Sequence, residues 1–165
     1  MENLFWSIML WLLVFLLIPI QRVKKLWPVA VISFIWLFIL EYIFTYLGYY
    51  RFVNGFAYIA SIPLFHMVGG AAGGILLVNW MQRNPLYKIL LISLFSGLLS
   101  ISEYIMVYFG AFKHLHDFNF LISYVLNIAG LSFLTWFSIA AVGEDTIYKG
   151  NKTRYDKKIS LSDKR

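Results

Sequence analysis

Five long apolar runs limit the fold of this chain more than any other feature. They cover about residues 4–20, 26–47, 58–80, 88–109 and 118–142, separated by short polar or aromatic stretches. A bilayer core of ~30 Å is crossed by ~20 helical residues, so each run reads as a membrane span, the first of them short. Lipid offers no partner to a free backbone N–H or C=O, which leaves helices or closed barrels. Barrel strands alternate polar and apolar residues over short segments, and these runs do not alternate. Composition agrees: 61% of residues are hydrophobic and 13% charged, against about half and about a quarter in globular chains. The predicted fold is therefore an all-α integral membrane protein of five helices. A single transmembrane domain fills 1–142, and a basic tail follows over 143–165.

The first run has only Met-Glu-Asn before it and "QRVKK" after it. A secretory leader carries its positive charge first and ends in small residues, so this run is expected to stay as a helix. Basic residues then set the orientation. With the amino terminus outside, twelve of the fourteen Lys and Arg residues fall in the cytoplasmic segments, and Arg51 and Lys113 alone lie outside. Cytoplasmic enrichment in Lys and Arg is the usual determinant of topology. The carboxyl terminus is then cytoplasmic, where its lysines would meet anionic lipid. The net charge of +6 is explained by lipid headgroups, with no call for nucleic acid. Tyr46, Tyr49, Tyr50, Phe52, Phe56 and Tyr58 are expected to form an aromatic belt at the outer surface. The chain has no cysteine, which excludes disulfides and thiolate metal sites.

Two phrases echo each other. "EYIFTYLGYY" starts at Glu41 and "EYIMVYFGAF" at Glu103, an offset of 62 residues. The same offset carries Tyr46 to Tyr108, Gly48 to Gly110, Tyr50 to Phe112, Arg51 to Lys113, Phe56 to Phe118 and Ser61 to Ser123. Each unit holds two spans, so the copies point the same way, as parallel repeats do about an axis along the membrane normal. Helices two and three would repeat as four and five, with the first helix added outside.

The acids in these phrases carry the chemistry. Each lies seven residues before its glycine, which at 1.5 Å per residue sets both carboxyls ~10 Å below the outer surface. His66 and Asn127 enter their spans to a similar depth. A polar pocket opening outward and lined by Glu41, His66, Glu103 and Asn127 is the expected site. Gly69, Gly70, Gly73 and Gly74, in "GGAAGG", share a side with His66 and would let another helix approach closely. The loop "KHLHD" offers His114, His116 and Asp117 without a fourth ligand or helical spacing, so it reads as a solvated loop and no metal site is expected. No phosphate loop, nucleophile motif or cofactor fingerprint is present.

Glu103, Gly110, Phe112, His114, His116 and Trp136 together resemble a group of small multi-pass membrane proteins from spore-forming Gram-positive bacteria. The likeness spans roughly residues 26–140. In that group a span acid precedes a short aromatic, His-containing outer loop, and a late span ends on an aromatic residue. Members often carry Trp in the loop, where Asp117 and Phe118 stand here. The resemblance implies a cell-membrane location and no particular activity.

Three functions fit these residues. In the first, the pocket binds or conducts a proton, a cation or a small polar or lipid ligand, and a homo-oligomer completes the pore wall. In the second, buried polar groups fasten the helices of an assembly protein whose glycine face docks a membrane partner. In the third, Glu41 and Glu103 act as an acid/base pair on a lipid-soluble substrate.

Overall fold

The structure, a computed structural model, describes residues 2–53, 55–150 and 152–154. Most of the basic tail, including Lys157, Lys158, Lys164 and Arg165, lies outside the described residues. The helices are α1 (Glu2–Leu17), α2 (Ile20–Lys25), α3 (Trp27–Tyr46), α4 (Leu64–Trp80), α5 (Pro85–Tyr108), α6 (Phe120–Val142) and α7 (Glu144–Tyr148). Four short strands interrupt them: β1 (Tyr50–Phe52), β2 (Tyr58–Ile59), β3 (Ile62–Pro63) and β4 (Phe112–His114).

Three of the helices, α3, α5 and α6, are long and apolar enough to cross a membrane. Their faces are mostly bare: at most 22% of the most apolar window of each is buried within the protein. Ile35, Ile39, Leu94, Leu98, Ile101, Phe133 and Trp136 all point outward. Exposed apolar surface on this scale is compatible with a membrane setting. The other two apolar helices, α1 and α4, have 16 and 17 residues.

Proline sets several of these limits. The first run stops at Leu17 because Pro19 disfavours helical geometry in the residue before it, and the chain restarts as α2. The third run was expected to be helical from residue 58, yet α4 starts at Leu64. Pro63 is the cause: it cannot donate to a helix and holds Ile62 extended. Residues 58–63 instead form the β2–β3 hairpin, with Ala60 and Ser61 at positive φ in its turn. The position 62 residues on from Pro63 is Val125, and there α6 runs unbroken from Phe120. Helix α6 opens on Asn119, whose side chain accepts from Leu121 and Ile122 N–H, and α5 opens on Asn84 in the same way, with Pro85 in its first turn.

Helix α4 is the packing centre, buried along most of its length between α1 and α3. Helix α6 packs on the far side of α3, and α5 rests mainly on α6. The glycines of α4 show how close the approach is. A methyl group at Gly69 would stand 3.3 Å from the Ser7 backbone of α1, and one at Gly70 would strike the Leu37 side chain of α3. One at Gly74 would strike Ser33. At Gly73 a methyl group would meet no atom within 4 Å.

Strands β1 and β4 pair antiparallel, with Tyr50 opposite His114, Arg51 opposite Lys113 and Phe52 opposite Phe112. This register follows the offset seen in the sequence, because Arg51 and Lys113 are 62 residues apart and the flanking pairs exchange partners about them. The hydrogen bonds keep it too. Tyr49 N–H donates to Phe44 C=O as Ala111 N–H donates to Met106 C=O, and Val53 N–H to Ala111 C=O as Leu115 N–H to Tyr49 C=O. Of the expected aromatic belt, Tyr46, Tyr49, Phe56 and Tyr58 are exposed, but Tyr50 and Phe52 turn inward. Strand alternation explains the split, since Arg51 takes the outer face between them.

Candidate functional site

Helices α3 and α5 end alike, and their ends build the site. Gly48 and Gly110 adopt φ of +75° and +71°, a left-handed geometry that costs glycine little. Each closes its helix with the paired bonds of a Schellman turn: Gly48 N–H to Thr45 C=O with Tyr49 N–H to Phe44 C=O, and Gly110 N–H to Val107 C=O with Ala111 N–H to Met106 C=O. The chain folds straight back as a strand over the helix end. Alternation then turns Tyr50 and Phe52 of β1, and Phe112 and His114 of β4, toward the acids one to two turns below.

Glu41 accepts two hydrogen bonds. The Tyr50 hydroxyl donates to Oε2 at 2.6 Å, and His66 Nε2 of α4 meets Oε1 at 3.0 Å. Glu103 is served in the same manner: the Ser123 hydroxyl of α6 donates to Oε2, and His114 Nε2 meets Oε1 at 2.5 Å. Both carboxylates therefore hold one hydroxyl and one imidazole, each on its own oxygen. The donors are crossed between the two sites. Around Glu41 the hydroxyl comes from the strand and the imidazole from the helix; around Glu103 the imidazole comes from the strand and the hydroxyl from the helix.

Both clusters are well covered, with 13% of each Glu side chain exposed, 25% of His66 and 16% of His114. Between them stands an aromatic core of Tyr50, Phe52, Phe112 and Phe118. Tyr50 is central: its ring lies 4.8 Å from that of Phe112 and 5.2 Å from that of Phe118. Burial, and then the negative charge of Glu41, push the Tyr50 phenol well above its ordinary range, with Glu103 adding to the effect. Tyr50 is thus held as a permanent donor.

The expected pocket is therefore divided. Glu41 and His66 come together, but Glu103 binds the loop histidine His114, and aromatic rings fill the space between the acids. Asn127 is half-buried in α6, and its side chain has no hydrogen-bond partner among the described residues. His114 is not in a solvated loop. It forms part of β4, while its neighbour His116, at positive φ, meets Gly48 C=O through Nδ1 at 3.0 Å. Its sequence signal was two-residue alternation from Phe112, the position aligned with Tyr50.

The opposite end of the bundle carries a second polar network, centred on Arg22. Its side chain is 6% exposed. It donates to Asn79 Oδ1 at 2.5 Å and to the carbonyls of Thr146, Ile147 and Lys149 at 2.9–3.1 Å. These carbonyls close α7, so the guanidinium acts as its carboxyl-terminal cap. Asn79 in turn donates to Lys152 C=O, and Arg154 N–H to Leu17 C=O. Arg22, read from sequence as an orientation signal, ties the tail to α2 and α4.

Comparison of the chain with protein-family models, with curated proteins and with solved structures finds no match.

Proposed function

We propose that the protein is a multi-pass protein of the cell membrane that takes up and releases protons at two carboxylate–imidazole pairs near its outer face. In this reading α1 and α4 span with α3, α5 and α6, the strand end lies outside, and the tail is cytoplasmic. The bias of basic residues toward the Arg22 end supports that orientation. The resemblance to small multi-pass proteins of spore-forming Gram-positive bacteria supports the location. The matched registers and bonds of the two copies support an internal duplication.

One observation carries the functional reading: each intramembrane acid is met by an imidazole and a hydroxyl, in a pair shielded from bulk water yet open at its edge. Ionisable residues at such depth are costly and are kept for function. Difference infrared spectroscopy of the protein in lipid, across pH, tests it. A carboxylate band that changes with pH, halved in Glu41→Gln, halved in Glu103→Gln and absent in the double variant, is the expected result. A band that never changes with pH would refute it.

A second reading has its own support, since each cluster joins a helix, a strand and a further helix. If the clusters only fasten an accessory protein together, the Gln variants lose thermal stability and no band moves with pH.

A further inference from the structure

The outward face of the β1–β4 pair carries charge that the protein leaves unmatched. Arg51 and Lys113 are cross-strand partners, so their side chains leave one face of the sheet with Cβ atoms ~5 Å apart. Both are exposed, and neither has a carboxylate partner among the described residues. Asp117, in the same loop as Lys113, is exposed too and pairs with neither. Like charges set directly opposite one another destabilise a strand pair.

That repulsion falls on the strands that hold the donors of both acids. Tyr50 and Arg51 are adjacent in β1, as Lys113 and His114 are in β4. Alternation sends each cation out where its neighbour turns in. An anion that joins the cations outside would therefore steady Tyr50 against Glu41 and His114 against Glu103. Tyr46, Tyr49 and Tyr108 are exposed at the same end of the bundle, and rings of this kind settle at headgroup depth.

We infer that this face seats on anionic lipid headgroups, with a phosphate joining Arg51 and Lys113. The guanidinium fork matches phosphate oxygens in pairs, and the ammonium adds a point charge beside it. The inference rests on the membrane reading proposed above, which sets the strand end at the outer surface. Soluble phosphate offers the same chemistry from water and is one outcome of the test.

Hydrogen exchange of the full chain in vesicles provides that test. It is read at the Val53 and Leu115 amides, which bond across the pair to the Ala111 and Tyr49 carbonyls. The vesicles are phosphatidylcholine, alone or mixed with phosphatidylglycerol. Phosphatidylglycerol should slow exchange at both amides roughly 30-fold in the wild type, from two headgroup-level cations at ~1 kcal/mol each. It should change nothing in the double variant Arg51→Gln with Lys113→Gln. Arg51→Glu converts the like pair into an ion pair and should slow exchange roughly fivefold in phosphatidylcholine alone, with no further slowing by phosphatidylglycerol.

Millimolar inorganic phosphate that slows exchange in phosphatidylcholine vesicles beyond chloride at equal ionic strength would overturn the headgroup and assign the cations to a soluble ligand. Equal slowing by chloride would reduce the effect to screening and overturn the inference, as would a wild-type response in the double variant. Insertion into both vesicles with strand amides indifferent to phosphatidylglycerol overturns the inference alone. A chain that fails to float with either vesicle overturns the membrane reading, and the inference with it.

Discussion

Replacement of Arg22 by methionine is the substitution whose cost the structure defines best. The change keeps the long apolar stem and removes the charge, so no unpaired cation is left buried. What remains is four acceptors without a donor. Asn79, fully buried, and Ile147, also buried, cannot regain water, and each stranded acceptor costs ~1–3 kcal/mol. The carbonyls of Thr146 and Lys149 lie nearer the surface and rehydrate. Set against this is the desolvation of the guanidinium, which the native fold bears and the variant escapes. Burial is seen to act on Arg22 in this sense, holding its pKa below the usual arginine range. The balance is a loss of about 2–4 kcal/mol. Its effect is local first, because the bonds end on α7 and the segment after it. Opening of that segment should become at least roughly 30-fold more frequent, read as the rate of proteolysis between Lys149 and Arg154 when cleavage follows rapid local opening. Arg22→Lys should restore little, since one ammonium cannot span Asn79 and three carbonyls together. An unchanged cleavage rate in Arg22→Met would refute the role given to this network.

Two further outcomes follow from single contacts. Gly74→Ala places a methyl group 2.7 Å from the Ser33 Cβ and should lower stability by about 1–3 kcal/mol. Gly73→Ala meets open space and should raise stability by up to ~1 kcal/mol through helix propensity alone; detergent unfolding of the two variants compares them directly. Tyr50→Phe should cost about 1.5–3 kcal/mol near neutral pH, the value of a bond to a charged acceptor. Because the Tyr50 pKa is raised on folding, its contribution is complete below the unfolded value of ~10 and is lost as pH rises beyond it. The wild type should therefore lose stability above about pH 10 relative to Tyr50→Phe. A constant gap between the two over that range would argue against the Tyr50–Glu41 bond.

Apolar length and the paired acids were legible in the sequence because both are local. The three longest helices follow from hydropathy, and the glycine seven residues beyond each acid marks where the helix turns into a strand. Side-chain partnerships were less legible, because they depend on angle as well as depth. Asn127 matches His66 in depth, but the position 62 residues on from His66 is Ile128. One residue along a helix is a rotation of ~100°, enough to turn Asn127 away from Glu103. His114 was missed for the opposite reason: a three-residue strand carries too little pattern to stand out from a polar loop, and its partner strand is 62 residues away. Pro63 could have been read as a helix start. Hydropathy does not register it, because the hairpin ahead of it is as apolar as a helix would be.

The register of β1 and β4 has a consequence for symmetry. Arg51 faces Lys113, 62 residues on, and the flanking pairs exchange partners about it: Tyr50 faces His114, the position aligned with Phe52, and Phe52 faces Phe112, the position aligned with Tyr50. A chain carrying one helix pair and one such strand would thus be complementary to a second copy of itself, which is the condition for an isologous two-fold dimer. Two identical chains would have to surround both acids with the same donors. Here His66 and Tyr50 serve one acid, and His114 and Ser123 the other. In this single chain the two acids are instead held by different donor sets on either side of one strand pairing.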